Sequence, residues 1–438
     1  MIPEPKKRRI FWEAPVAAFN VALGATSALT VFLILFLGGN LVDVGTFFTV
    51  YSGISVPSLL FWGKLSDKVQ SRSRLLALSF GLSGAALWAL ASSRTVTVAI
   101  TMGGLLAFFS SAMAPVASMM ALEDSPKDSW NDRIGRLNAY INYGYGLGLL
   151  LDVIFTGYSG ARAAFELSAG LSWLAGVGIL MTSGGPPKAK AERAGPHGVT
   201  TARLGILERH GGHHTVMFHL PNFSGLKRLV QSPRERLAVL AILSASLFTA
   251  ASSLTWTPIP AFLQDTLKNE RMVFGLLFAN SFFTALFFEV EGKKVSPSNE
   301  VSVYLKSLGL RTFIYIGYLA AVLMSGPLSI AAVVASISLS GMIWSVFSIA
   351  VTGMVAQTAS HKERGTAIGT LNSLTGLASL AGSYLSGWLA TAAGFASVFL
   401  GSAVLNLFSV ALALPIASPR IRQALLSEDP DAQTTRAT

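Results

Sequence analysis

Stretches of about twenty apolar residues recur from one end of this 438-residue chain to the other, and a segment of that length and character is long enough to cross a bilayer as a helix. They run approximately over 14–37, 45–62, 74–92, 96–120, 136–156, 162–182, 236–260, 272–289, 309–325, 328–356, 364–390 and 394–417. In lipid every backbone N–H and C=O must be bonded within its own segment. The pattern therefore predicts an all-α integral membrane protein of about twelve transmembrane helices. The scarcity of charge agrees, since charged residues make up 13% of the chain against ~25% in an ordinary soluble domain. Small residues punctuate the spans, as in Gly144, Gly146 and Gly148 or Ala378, Ser379 and Gly382, and they let helices approach closely. No cysteine is present, which excludes disulfides, thiolate metal sites and thiol nucleophiles. The first apolar stretch is too long for a signal-peptide core and no small-residue cleavage site stands out, so it is expected to remain as the first helix.

A net charge of +11 would suggest nucleic acid in a soluble protein, but here the basic residues lie between the spans. Taken alternately, the connections on one side hold 29 of the 33 basic residues, and those on the other hold Arg94, Arg162, Lys268 and Arg271. Arg311, at the start of the ninth span, is counted with the basic connection before it. Basic residues stay preferentially in cytoplasmic loops, so both termini are expected in the cytoplasm of a plasma-membrane protein. The Lys6–Arg9 run suits anionic lipid, and no nucleic-acid partner is expected. Residues 183–235 form the longest polar stretch. They divide the chain into an N-terminal six-helix bundle (1–182), a cytoplasmic linker (183–235), a C-terminal six-helix bundle (236–417) and a cytoplasmic tail (418–438). A shift of 230 residues matches Gly135 to Gly365, Asn142 to Asn372, Gly146 to Gly376, Leu150 to Leu380 and Gly157 to Gly387, so the fifth span repeats as the eleventh.

The run Gly63-Lys64-Leu65-Ser66-Asp67-Lys68, followed by Arg72 and Arg74, resembles the signature between spans two and three of the major facilitator superfamily. The resemblance extends over nearly the whole chain. It implies two pseudo-twofold-related bundles that rock about a midplane site, hence a monomeric secondary transporter of a small-molecule substrate, without a cofactor. It assigns a gating role to Gly63, Asp67, Lys68 and Arg72, with Glu363 and Arg364 at the start of span eleven as the partner of Asp67. The second copy of the signature is degenerate at Glu289, Glu291, Gly292, Lys293 and Lys294. Span four lacks the arginine of proton-driven members, and Asp152-Val153 replaces the proline-glycine pair of drug antiporters. A receptor or scaffold that retains the fold is the alternative.

An ionisable group inside a span is costly and thus a functional candidate. Asp152 is expected to be a protonatable switch or external gate, which makes protons the expected coupling ion; the alternative is an ion pair with Arg162. Glu166 stands four residues after Arg162, a local pairing distance on a helix. Asp43 and Glu13 lie at span ends. Cavity candidates on the first and fourth helices of each half are Asn20, Thr26, Ser110, Ser111, Ser252, Ser253, Trp256, Trp344 and Ser348. The indoles of Trp256 and Trp344 suit a sugar ring or an amphipathic aromatic molecule, and the lack of Arg or Lys in those helices argues against a strongly anionic substrate. Five histidines (197, 210, 213, 214, 219) lie in the linker; imidazoles so close in sequence can chelate a divalent metal, but carboxylate and thiolate company is missing, so a flexible polar loop is the expectation and metal binding the alternative. No phosphate-binding Gly-x-x-x-x-Gly-Lys run occurs, and the Gly157–Gly160 loop has no histidine in a span to serve as base. An enzyme is not expected.

Overall fold

The computed structural model describes residues 12–69, 71–123, 130–155, 157–182, 233–291, 295, 299–358 and 364–418, and every regular element among them is helical. The first half contains α1 (Glu13–Ser27), α2 (Leu29–Phe36), α3 (Leu41–Lys68), α4 (Arg72–Ala91), α5 (Val96–Ser110), α6 (Met113–Glu123), α7 (Trp130–Asp152) and α8 (Gly157–Thr182). The second contains α9 (Pro233–Trp256), α10 (Ile259–Leu267), α11 (Glu270–Glu291), α12 (Glu300–Leu323), α13 (Pro327–Thr358) and α14 (Arg364–Ala413). Among the described residues eight helical stretches are long and apolar enough to cross a membrane, and α1 with α2, bent by 42°, forms a ninth if the pair is one span. α7 and α12 are as long but more polar, carrying Asn131, Asp132, Arg133 and Arg136 in the one and Glu300, Lys306 and Arg311 in the other.

α14 holds both of the last predicted spans. It breaks at Gly394, at φ 74° and ψ 177°, a conformation that a side chain would strain. Ser397 Oγ closes the break by donating to the carbonyls of Gly394 (2.7 Å) and Leu389 (3.1 Å). Two boundaries differ from the sequence expectation. α3 runs on to Lys68, so the signature residues form the last turns of a helix instead of a loop. α8 begins at Gly157, so the expected Gly157–Gly160 loop is helical, continuous with the good helix formers Ala161, Ala163 and Ala164. Asp43 has a capping role: the Asn40 side chain accepts from Val42 N–H (2.8 Å) and Asp43 N–H (3.2 Å), while Asp43 accepts from Asn40 N–H (2.8 Å). This reciprocal arrangement satisfies orphan donors at the start of α3.

The surface is apolar and the interior carries hydroxyls. Phe313 is 71% exposed and Leu328 69%, as suits a lipid-facing surface, whereas Ser172, Ser244, Ser345 and Ser409 are buried. Those hydroxyls cross-link helices, Ser172 donating to Phe80 O (2.7 Å) and Ser409 to Ser244 O (2.7 Å). Glycine sets the closest contacts. A Cβ at Gly144 would overlap the Ala17 carbonyl and one at Gly148 the Val21 carbonyl, which puts α1 and α7 in backbone contact. In the second half α9 lies likewise on α14, through Gly382 against Ala250 and the hydroxyl pairs Ser253–Ser379 (2.7 Å) and Thr257–Ser383 (3.1 Å). Spans one and five thus pack as spans seven and eleven do, as the internal repeat requires.

Candidate functional site

A cavity of about 160 Å3 lies between the two halves. That is room for on the order of ten waters. α1 contributes Asn20 and Thr26, α5 contributes Ser110 and α7 contributes Asn142 and Tyr145; from the other half come Ser253 and Trp256 of α9 and Ser379 and Ser383 of α14. Phe47, Phe48 and Tyr51 of α3 add ring surface. No charged side chain is among the described lining residues.

Local hydrogen bonds fix which polar atoms face the cavity. The Asn20 amide nitrogen donates to Val16 O (2.8 Å) and to Met113 Sδ (3.0 Å), so its remaining polar atom is the carbonyl oxygen, an acceptor. Tyr51 Oη and Ser110 Oγ share a hydrogen bond at 3.3 Å. Thr26 and Ser111 bond back to carbonyls on their own helices, at 3.0 and 2.6 Å. The site offers neutral donors and acceptors between aromatic faces, the combination by which small-molecule pockets orient an uncharged ligand.

The halves meet on the side of the cavity away from Thr182 and Pro233, the ends of α8 and α9 that the linker joins, here called the distal side. Phe32 of α2 packs edge-on against Phe274 of α11, with centroids 5.5 Å apart. Deeper in, a Cβ at Gly146 of α7 would lie 4.0 Å from the Phe278 ring of α11. At the distal start of α3, a Cβ at Gly45 would stand 2.9 Å from Ser383 O and 3.1 Å from Gly387 of α14, and one at Gly387 would overlap the Leu41 carbonyl. Only glycine at both positions lets these helices touch backbone to backbone.

Of the residues expected to line the cavity, Asn20, Thr26, Ser110, Ser111, Ser253 and Trp256 do so. Ser252, Trp344 and Ser348 are not among the lining residues. Ser252, about 100° round α9 from Ser253, points into its own half and pairs with Tyr315 Oη at 3.2 Å. Trp344 stacks with Phe248 (6.1 Å), and Ser348 donates to Trp344 O (2.9 Å). Tyr51, Tyr145 and Ser379 also line the cavity, from the second and fifth helices of their halves, where no local feature of the sequence tells a cavity-facing side chain from a lipid-facing one.

Asp152, the last residue of α7, is fully buried. Neither of its carboxylate oxygens has a hydrogen bond. It shares a helix face with Gly148, one turn earlier, which sits against α1. The negative end of the helix dipole adds to the cost of a charge there. Arg162 and Glu166 are both exposed on α8, so the structure does not bring Arg162 onto Asp152. At the gate, Gly63 lies on α3 with Pro115 4.0 Å from its Cβ position, and Arg72 Nε donates to the buried Ser66 Oγ at 3.1 Å. The side chains of Asp67, Lys68 and Arg364, all of Glu363, and the linker histidines lie outside the described residues. Arg311, counted by its charge with the connection before the ninth span, is wholly buried inside α12.

A family model described as Major Facilitator Superfamily matches residues 16–333 and 241–436. The chain belongs to the major facilitator superfamily. No curated protein sequence matches it. Among solved structures, a mutant of the nucleoside transporter NupG superposes with a TM-score of 0.71 at 13% identity, covering 93% of this chain and 100% of that one. A bacterial homolog of the human lysosomal transporter Spinster, inward-facing and occupied, gives 0.68 at 12% identity, covering 93% and 95%. A POT family transporter in complex with a thioalcohol-conjugated peptide gives 0.69 at 15% identity, covering 94% and 96%. At such identities these likenesses show the fold. Membership of the major facilitator superfamily makes this a multi-pass membrane protein of a transporter family, not an enzyme.

Proposed function

We propose that this major facilitator moves an uncharged, ring-bearing solute across the plasma membrane by alternating access. The bundles would be 1–182 and 236–417, the linker and both termini cytoplasmic, the protein a monomer. In this reading α7 and α12 cross the membrane and α14 crosses twice, which gives twelve spans. The observation that carries the proposal is a cavity lined by both halves and sealed distally by the backbone contact of Gly45 and Gly387. A contact between halves at one end, with a binding site between them, suits a protein whose halves rock to open the other end. Asp67, with Glu363 and Arg364, is assigned the matching cytoplasmic gate.

The chemistry of the lining supports the substrate class. Phe47, Tyr51, Tyr145 and Trp256 present ring faces, Asn20 an acceptor and the serines hydroxyls. A nucleoside, as in the solved structure's description, and a cyclic sugar both have a flat or apolar face with hydroxyls at the rim. Asp152 is assigned the coupling role. An ionised carboxylate at its site would be desolvated without a hydrogen bond to offset the cost, so a proton held in one access state and released in the other can link solute movement to a proton gradient. Arg162 is its proposed partner in the other state.

The test is uptake by proteoliposomes over a panel of nucleosides, sugars, amino acids, peptides and cations. Saturable uptake of an uncharged ring compound, reduced by Trp256→Ala, is expected. Uptake of charged solutes alone would overturn the substrate class. Ligand-induced thermal stabilisation without flux of the same ligand would establish the receptor alternative.

A further inference from the structure

The polar atoms of the cavity are not alike on all sides. Four polar residues of the first span line it, Asn20, Thr26 and Ser27 from α1 and Thr30 from α2. Each has already committed its hydrogen. The Asn20 amide nitrogen donates to Val16 O (2.8 Å), which can only accept and so fixes the orientation of the amide, and to Met113 Sδ (3.0 Å). Thr26 donates to Ala22 O (3.0 Å), Ser27 to Gly24 O (2.8 Å) and Thr30 to Thr26 O (2.6 Å). A hydroxyl has one proton and two lone pairs, so these side chains have only acceptor capacity left. Ser27 uses part of its own in a hydrogen bond with Tyr145.

Donors remain on the other walls. The Tyr51–Ser110 pair (3.3 Å) holds two hydroxyl protons but one hydrogen bond, and so does the Ser253–Ser379 pair (2.7 Å). Each pair therefore keeps one proton that no described residue accepts. On the first span the position is reversed. Asn20 Oδ1 and Thr26 Oγ1 receive no hydrogen bond from a described residue, and both residues are buried. A solute that displaces water from such an acceptor has to bring a donor of its own or leave the acceptor unpaired, which is costly in a buried site.

We propose that the first span is the donor-reading wall of the cavity, where Asn20 Oδ1 and Thr26 Oγ1 each accept a hydrogen bond from an O–H or N–H group of the solute. This rests on the uncharged, ring-bearing class proposed above and narrows it to ring compounds with at least two such groups. Rings whose polar atoms only accept, such as ethers and fully N-alkylated heterocycles, are excluded. An acceptor wall also suits an ammonium group, but the described lining has no carboxylate to neutralise one, which favours neutral donors. The inference does not depend on Asp152 or on the coupling ion.

The experiment is ligand-induced thermal stabilisation of the purified full chain, titrated with adenosine, uridine, glucose and myo-inositol. Each is compared with analogues in which a single O–H is replaced by C–F, a group of similar size that cannot donate, or a single N–H by N–CH3. In the wild type, one replacement in a parent that binds should raise the half-saturating concentration about tenfold or more. Asn20→Leu should bind that parent as weakly as the analogue, with no further loss on replacement. A purely structural role for Asn20 would instead weaken parent and analogue by the same factor and keep the tenfold gap. Thr26→Val, which preserves shape, is put through the same cycle and decides alone if Asn20→Leu does not fold. Analogues that all bind as well as their parents overturn the inference and leave the uncharged-ring class standing. A gap that persists unchanged in both variants overturns it too, since the donor is then read by another wall. Binding of no member of the panel overturns the ring class, and this inference with it.

Discussion

Replacing Gly387 by alanine should open the distal side. The added Cβ would overlap the Leu41 carbonyl and stand 2.9 Å from Val42 Cα, where ordinary contact begins at 3.4 Å, and the atoms it meets are backbone. α3 and α14 therefore have to part by at least half an ångström at their crossing, or the whole distal seal must yield. Overpacking of this kind costs about 1–3 kcal/mol, and the cost falls only on the state in which the two helices touch. The equilibrium should move toward the distal-open state by roughly 5- to 150-fold. The chain has no cysteine, so a single Thr30→Cys on the distal part of the lining is a clean reporter for an impermeant maleimide added from the distal side. Its labelling rate should rise in step with the open population. Gly309→Ala is the control, since nothing lies within 4 Å of that Cβ position. If Gly387→Ala folds with the stability of the control and leaves the labelling rate unchanged, the glycine contact is not the seal.

Three further outcomes follow from the same geometry. Asp152→Asn should abolish solute accumulation driven by a pH gradient while sparing exchange at equal concentrations; normal accumulation in the mutant would move coupling elsewhere or indicate a uniporter. Ser253→Ala and Ser379→Ala, which break a 2.7 Å hydroxyl pair between α9 and α14, should show a coupling energy of about 0.6 kcal/mol in a double-mutant cycle of unfolding free energies, and strict additivity would mean that the pair contributes nothing net. A cysteine at Ser224 in the linker should label only from the cytoplasmic face; labelling from outside would invert the topology.

The fold was legible because the constraint that imposes it, satisfaction of the backbone within each apolar segment, leaves its mark on every span. The repeat of the fifth span in the eleventh has a counterpart in the structure, where α7 packs on α1 through Gly144 and Gly148 and α14 packs on α9 through Gly382. Helix ends were harder. Gly63 to Lys68 look like a turn because they are charged and glycine-bearing, yet α3 continues through them to Lys68. The site was half legible. Asn20 and Trp256 face the cavity, but Ser252 and Ser253 are one residue apart on a helix whose residues all look alike in hydropathy, and only packing decides which of them turns inward. Tyr51 and Tyr145 escaped for a similar reason, since an aromatic residue in a lipid-facing span and one in a cavity wall have the same local sequence. Arg311 stands at the edge of the predicted ninth span, where a charge normally marks an end. Ser340 and Tyr315, which hold it inside, are neighbours only in three dimensions.

Rocking of two rigid halves is tested most directly by distances measured at both ends of the molecule at once. One spin-label pair, on Arg94→Cys and Ser325→Cys, spans the distal side; a second, on Val69→Cys and Ser302→Cys, spans the linker side, and all four positions are exposed. Pulsed electron–electron resonance on the otherwise wild-type chain and on its Gly387→Ala variant gives each distance distribution. If the halves rock about the cavity, the distal pair lengthens in the variant and the linker-side pair shortens in the same proportion of molecules. A longer distal distance with an unchanged linker-side distance would mean that the helices only splay locally, and would contradict alternating access.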